Sequence, residues 1–130
     1  MKYVKNGTVK PASAPTKEAV LSKALIKVAV NLGLNQRELS EIIGSSKSEI
    51  SRLFHGKIVV SPNTKEGECA LMLIRIYRSL NALLGEDERQ CQEWFQNYNT
   101  HLGDKPKDLS KKIIGLAGIV VYLDAMRGMM

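Results

Sequence analysis

The chain has 130 residues, a net charge of +6, 44% hydrophobic residues and 25% charged residues. This composition fits one small globular domain, or two small lobes that share a core. The longest apolar run, Ile113 to Leu123, is about half of the roughly 20 residues that span a bilayer, and the N-terminus lacks the apolar segment of a secretory signal. We therefore expect a cytoplasmic protein that has no membrane partner.

The basic charge is confined to the N-terminal half. Residues 1–65 hold eleven Lys/Arg and four Asp/Glu, a net charge of +7, whereas residues 66–130 hold eight and nine, a net charge of −1. Such asymmetry favours a polyanion as the partner of the first half. Three of the lysines lie in the first ten residues and could be a solvated tail, but +4 remains without them.

The first predicted elements are an arm and a helix. Residues 1–15 end in PASAP, and we expect a flexible basic arm outside the core. Helix 1 is predicted to start near Thr16 and to stop at Gly33. Its apolar face comprises Val20, Leu21, Ala24, Leu25, Val28 and Leu32, which recur at helical spacing.

Two short helices follow around a tight turn. Asn35 and Ser46 are predicted N-caps, each with a Glu three residues later that closes a capping box. Gly44 supplies the positive φ that the turn between them needs. Leu39, Ile42, Ile43, Ile50, Leu53 and Phe54 are predicted to face inward.

Three further helices are predicted over about 64–84, 86–98 and 109–127. In the second of them, Cys91, Trp94, Phe95 and Tyr98 form one apolar stripe. The only possible strand is the short Ile58–Val60. The sequence therefore predicts an all-α fold with about six helices. The two cysteines have no Cys or His partner nearby, so we expect no metal site.

The segment from Gln36 to Gly56 resembles the helix-turn-helix of the Xre and phage-repressor-like family. In this fold the second helix enters the major groove while the first braces across the backbone. The resemblance implies that Gln36 binds a phosphate and that His55 lies near the backbone. The predicted DNA-binding residues are Gln36, Ser46, Lys47, Ser48, Ser51, Arg52 and His55. The exposed face is only weakly basic, so we expect a single copy to bind double-stranded DNA weakly. Further contacts could come from the lysine-rich arm, from helix 1 lysines such as Lys23 and Lys27, or from dimerisation, which doubles the contacts.

The C-terminal half contains no catalytic constellation, so we expect neither an enzyme nor a cofactor. Its last helix, IIGLAGIVVYLDAM, is apolar nearly all the way round, whereas a surface helix has one apolar stripe. This helix must be central or must present a face to another chain. Gly115, Ala117 and Gly118 permit close approach of a neighbouring helix.

A second resemblance covers about residues 67–128. The pattern W-F-x3-N-x2-L-G-x2-P-x2-L-x5-G-x4-V-x2-L, which starts at Trp94 and ends at Leu123, is similar to the toxin-binding domain of Xre/MbcA/ParS-type antitoxins. The resemblance implies that this half neutralises an NAD-consuming RES-type or ADP-ribosylating ParT-type toxin by covering its active-site entrance. It also implies that the helix-turn-helix represses the protein's own operon.

We interpret Trp94, Phe95 and Pro106 as scaffold. The predicted toxin-binding residues are Tyr122, Asp124, Arg127, Met129 and Met130. The predicted domains are a flexible basic arm (1–15), a helix-turn-helix domain (16–60) and a helical toxin-binding domain (61–130). The predicted partners are a cognate toxin and operator DNA, bound by a homodimer or a larger toxin–antitoxin assembly. The alternative is a stand-alone dimeric repressor whose C-terminal half only dimerises or senses a small molecule.

Overall fold

The structure, a computed structural model, describes residues 3–5 and 15–130. Within these residues the chain forms seven helices and two short strands, so the all-α prediction is confirmed. The elements are β1 (Tyr3–Lys5), α1 (Lys17–Asn31), α2 (Gln36–Ile43), α3 (Lys47–Phe54), β2 (Ile58–Val60), α4 (Lys65–Leu84), α5 (Glu88–Gln96), α6 (Pro106–Leu109) and α7 (Ile113–Gly128).

Helix α4 is the centre of the molecule. It packs against α1 and α2 from the N-terminal half and against α5 and α7 from the C-terminal half. Leu73, Ile76 and Leu80 of this helix are fully buried, and they belong to one continuous hydrophobic core that extends from Leu21 to Leu123. The two halves therefore share a core, and the division at residue 60 stays a prediction.

Helix α1 begins where the sequence predicts. The Thr16 Oγ1 accepts a hydrogen bond from the Ala19 N–H at 3.1 Å and caps the helix. Leu21, Leu25 and Val28 are buried, but Val20 is exposed, contrary to the prediction. The reason is that Val20 lies at an open groove between α1 and α4 and not beneath a neighbouring helix.

The strand pair is the main departure in the N-terminal half. The backbone of β1 pairs antiparallel with β2, with Tyr3 opposite Val60 and Lys5 opposite Ile58. Three residues of the predicted arm therefore form a strand. Residues 6–14 lie outside the described part of the chain, so the flexible arm stays a prediction. On its other side β2 is held to α1, because the buried Ser22 Oγ accepts the Val60 N–H at 2.8 Å.

The C-terminal half contains one helix more than predicted. Pro106 at the first helical position starts the separate turn α6, and the Ser110 hydroxyl donates to its carbonyl oxygen at 2.8 Å. The chain then turns, so that α7 begins at Ile113 and not near Leu109. Helix α5 is also shorter than predicted, because Asn97 is already extended.

Candidate functional site

The turn between α2 and α3 is fixed by two capping boxes. The Asn35 side chain accepts the Glu38 N–H at 2.8 Å, and the Glu38 carboxylate accepts the Asn35 N–H at 3.0 Å. Ser46 and Glu49 exchange the same pair of hydrogen bonds at the start of α3. Gly44 between the helices has φ 76°, so an L side chain there would be strained. The spacing in the sequence is therefore sufficient to fix this local geometry.

Five of the seven predicted DNA-binding side chains lie around one shallow depression on the surface. They are Gln36 from the start of α2, together with Lys47, Ser48, Ser51 and Arg52 from the outer face of α3. Two cations, one amide and two hydroxyls can bind phosphate oxygens and base edges. The depression therefore has the donors that a helix lying in the major groove needs.

The other two predicted residues have local partners. The Ser46 hydroxyl is engaged in the cap of α3. The exposed His55 ring hydrogen-bonds the Ser51 carbonyl oxygen through Nδ1 at 2.7 Å, and because a carbonyl only accepts, Nδ1 carries the proton. The Nδ1–H of His55 is therefore not available to a phosphate.

Helix α7 presents a stripe of uncovered apolar and small residues. Ile114 is 83% exposed and Val121 is 68% exposed, and at 100° per residue they share one side of the helix with Gly118 and Ala125. We call these four residues the α7 stripe. The opposite side, made of Leu116, Ile119, Val120 and Leu123, is buried. The stripe was not among the predicted contact residues, because the sequence of a helix that is apolar nearly all the way round does not show which side is buried.

The predicted toxin-binding residues lie around this stripe and not within it. Asp124 pairs with Arg75 of α4 at 2.5 Å, and Arg127 donates to the Ser79 hydroxyl of α4 at 3.3 Å. Tyr122 is half-buried on the other flank, with its ring centroid 6.4 Å from that of His101. Met129 and Met130 are exposed past the end of the helix. Asp124 and Arg127 are therefore held against α4, while both methionines are accessible.

The family of the chain follows from two matches. The model of the antitoxin Xre-like helix-turn-helix domain matches residues 11–75, half of the chain. The model of the antitoxin Xre/MbcA/ParS C-terminal toxin-binding domain matches residues 79–128. The chain belongs to the Xre-like antitoxins. A comparison with curated proteins gives no match to this antitoxin.

Each of the two surfaces described above lies within one of the two matches. The depression on α3 lies within the helix-turn-helix match, and the α7 stripe lies within the toxin-binding match. Met129 and Met130 follow the last matched residue. In the part of the chain that the structure describes, no helix is long and apolar enough to cross a membrane, and no group of three His, Cys, Asp or Glu could hold a metal ion.

An ion pair joins the two matched parts of the antitoxin. The Lys107 Nζ of α6 lies 2.7 Å from the Glu38 Oε2 of α2. Burial alone would raise the pKa of Glu38, but the hydrogen bonds from Lys107 and from the Asn35 backbone, with the charges of Lys107 and Lys111, leave that pKa below its ordinary value of 4.5. No pattern in the sequence indicated this contact.

The lowered pKa of Glu38 predicts a dependence of stability on pH. The unfolded chain binds a proton at Glu38 more readily than the folded chain does, so this contribution is present above pH 4.5 and disappears as the pH falls through the lower folded pKa. We expect the free-energy difference between the wild type and Glu38→Gln, measured by urea unfolding, to shrink below pH 4.5. A constant difference between pH 7 and pH 3 would contradict the prediction.

Proposed function

We propose that this antitoxin neutralises a protein toxin by docking the α7 stripe on it, and that it represses its own operon through α2 and α3. The observation that carries the proposal is the stripe itself, which leaves Ile114 and Val121 uncovered inside the matched toxin-binding domain. Uncovered apolar surface of this kind marks an interaction site. The glycine and alanine of the stripe also let a partner backbone come close.

The proposed toxin is an NAD-consuming enzyme of the RES type or an ADP-ribosylating enzyme of the ParT type, as the family resemblance implies. Neutralisation then requires that the antitoxin cover the entrance of the toxin's active site. Met129 and Met130 extend past the helix and are exposed, and methionine adapts to irregular apolar surfaces. We propose that they fill the part of the entrance that the rigid helix does not reach.

Operator binding requires more than one copy of the depression on α3. Each copy presents Lys47 and Arg52 as its cations, and affinity for DNA rises with the number of phosphates that are neutralised. A homodimer, or a larger toxin–antitoxin assembly, would place two reading helices on successive half-sites. We infer that repression needs such an assembly, and that the protein carries out no enzymatic reaction.

Replacing Lys47 and Arg52 together should weaken operator binding without changing toxin neutralisation. We expect Lys47→Ala with Arg52→Ala to weaken operator binding about 100-fold, because removing a phosphate or base contact costs about 1–3 kcal/mol. The slope of log affinity against log salt should also become shallower by about 1 for each phosphate that is no longer neutralised. Fluorescence anisotropy on the upstream DNA of the operon measures both quantities, while co-expression with the toxin measures neutralisation, which should be unchanged.

Arg89→Ala is the matched control, since the Arg89 side chain is 88% exposed on α5 and pairs with Glu93 one turn later on the same helix. It should leave operator binding as in the wild type. If the neighbouring gene product remains toxic when the wild-type protein is present, the antitoxin proposal fails, and a stand-alone repressor is the better interpretation. If the double variant still binds the operator at wild-type affinity, the DNA-reading role of α3 fails.

A further inference from the structure

The contact between α2 and α6 is an enclosed ion pair. The side chains of Lys107 and Glu38 are only 19% and 18% exposed, and their charged atoms lie 2.7 Å apart. The neighbouring pair between Lys111 and Glu41 is longer, at 3.8 Å, and is 32% and 44% exposed. An ion pair shielded from water is screened less by salt than an open one. The first pair is therefore the stronger link between the two helices.

Glu38 uses its two carboxylate oxygens for different tasks. Its Oε1 accepts the Asn35 N–H and so closes the capping box of α2, while its Oε2 binds Lys107. Gln36, the predicted phosphate ligand, is the first residue of the same helix. The carboxylate therefore lies in the turn of α2 that would meet the DNA backbone, where an uncompensated negative charge would repel phosphate.

We propose that Lys107 is a positioning residue for operator binding: it neutralises Glu38 and so holds the start of α2 in a state that accepts a phosphate. This inference rests on the proposed DNA-binding function. Lys107 lies within the match to the toxin-binding domain, whereas α2 lies within the match to the helix-turn-helix domain. The DNA-reading unit then includes α6, and the helix-turn-helix is incomplete without the second half of the chain.

Two features of α6 favour an indirect role for Lys107 over a direct phosphate contact. Its ammonium group is directed at Glu38 and its side chain is mostly covered, whereas a lysine that binds phosphate needs access to the DNA. The helical turn that carries it is anchored at both ends, because Pro106 is buried and Ser110 is fully buried with its hydroxyl bonded back to Pro106. The buried ends of α6 therefore hold Lys107 in place beside Glu38.

A double-mutant cycle on the full-length protein tests the inference. We expect Lys107→Met to weaken operator binding about 10-fold, which corresponds to about 1.4 kcal/mol. Lys107→Arg keeps the positive charge, so it should leave operator binding within about twofold of the wild type. Glu38→Gln keeps an oxygen for the cap and removes the charge. The decisive variant is therefore Glu38→Gln with Lys107→Met, which should bind the operator within about twofold of Glu38→Gln alone.

Lys112→Met is the matched control from the turn that follows α6, because Lys112 is exposed and the lysines that act on Glu38 are Lys107 and Lys111. It should change operator binding by less than about twofold. Circular dichroism and thermal unfolding confirm that each variant is folded under the assay conditions. If the double variant binds as weakly as Lys107→Met, Lys107 touches phosphate itself and the positioning role is refuted. Unchanged binding by Lys107→Met also refutes it, while operator binding by the wild type shows that the proposed function survives. If the wild type binds no operator DNA, both the proposed DNA-binding function and this inference are refuted.

Discussion

Replacing Val121 by aspartate is expected to abolish toxin binding while the antitoxin stays folded. Val121 is 68% exposed in the middle of the α7 stripe, so the new carboxylate remains in water in the free protein and should change the free energy of unfolding by less than about 0.5 kcal/mol. In the complex that carboxylate would be buried against apolar surface without a partner, which costs several kcal/mol. The dissociation constant should rise at least about 100-fold, which corresponds to about 2.8 kcal/mol.

Isothermal titration calorimetry with the purified toxin measures this change, and growth after co-expression measures its consequence. The matched control is Val30→Asp, because Val30 is 60% exposed on α1 and receives the same substitution away from α7. We expect the control to bind and neutralise the toxin as the wild type does. Full neutralisation by Val121→Asp would show that the α7 stripe is not the docking surface. Loss of binding by both variants would point to a general effect of added negative charge.

The DNA-reading part could be predicted closely because its information is local. The spacing of Asn35 to Glu38 and of Ser46 to Glu49 specifies two capping boxes, and both are present. A capping box joins the first residue of a helix start to a residue in the following turn, so it fixes where the helix begins. The start of the helix in turn determines which side chains face outward. This is why five of the seven predicted DNA-binding residues lie around one depression, while their contacts with DNA stay a prediction.

The C-terminal half was harder to predict because its contacts join distant parts of the chain. The pattern of the last helix showed that too much of it was apolar, but not which side was buried. Which side of α7 is buried depends on its contacts with α4. There Arg75 forms an ion pair with Asp124, and the Ser79 hydroxyl accepts a hydrogen bond from Arg127. The Glu38–Lys107 pair joins residues separated by more than half of the chain. Neither periodicity nor spacing carries such information.

The small residues on α7 serve two different purposes, and two alanine substitutions should separate them. A Cβ added at Gly115 would lie 2.0 Å from the Leu109 carbonyl oxygen, which is backbone and can move only if α6 and α7 part. We expect Gly115→Ala to cost about 1–3 kcal/mol of unfolding free energy, as an overpacked site does. Its melting temperature should fall accordingly in a calorimetric scan.

Gly118→Ala is the control on the same helix, since a Cβ there meets nothing within 4 Å. An exposed helix interior gains about 0.5–1 kcal/mol when glycine is replaced by alanine, so this melting temperature should rise. If the melting temperatures of both variants rise, or if both fall, the assignment of Gly115 to an internal contact and of Gly118 to the surface is contradicted. Gly118 also lies in the α7 stripe, where its added methyl group would meet a closely docked partner. We therefore expect Gly118→Ala to bind the toxin more weakly although its fold is more stable, a combination that separates a docking role from a structural one.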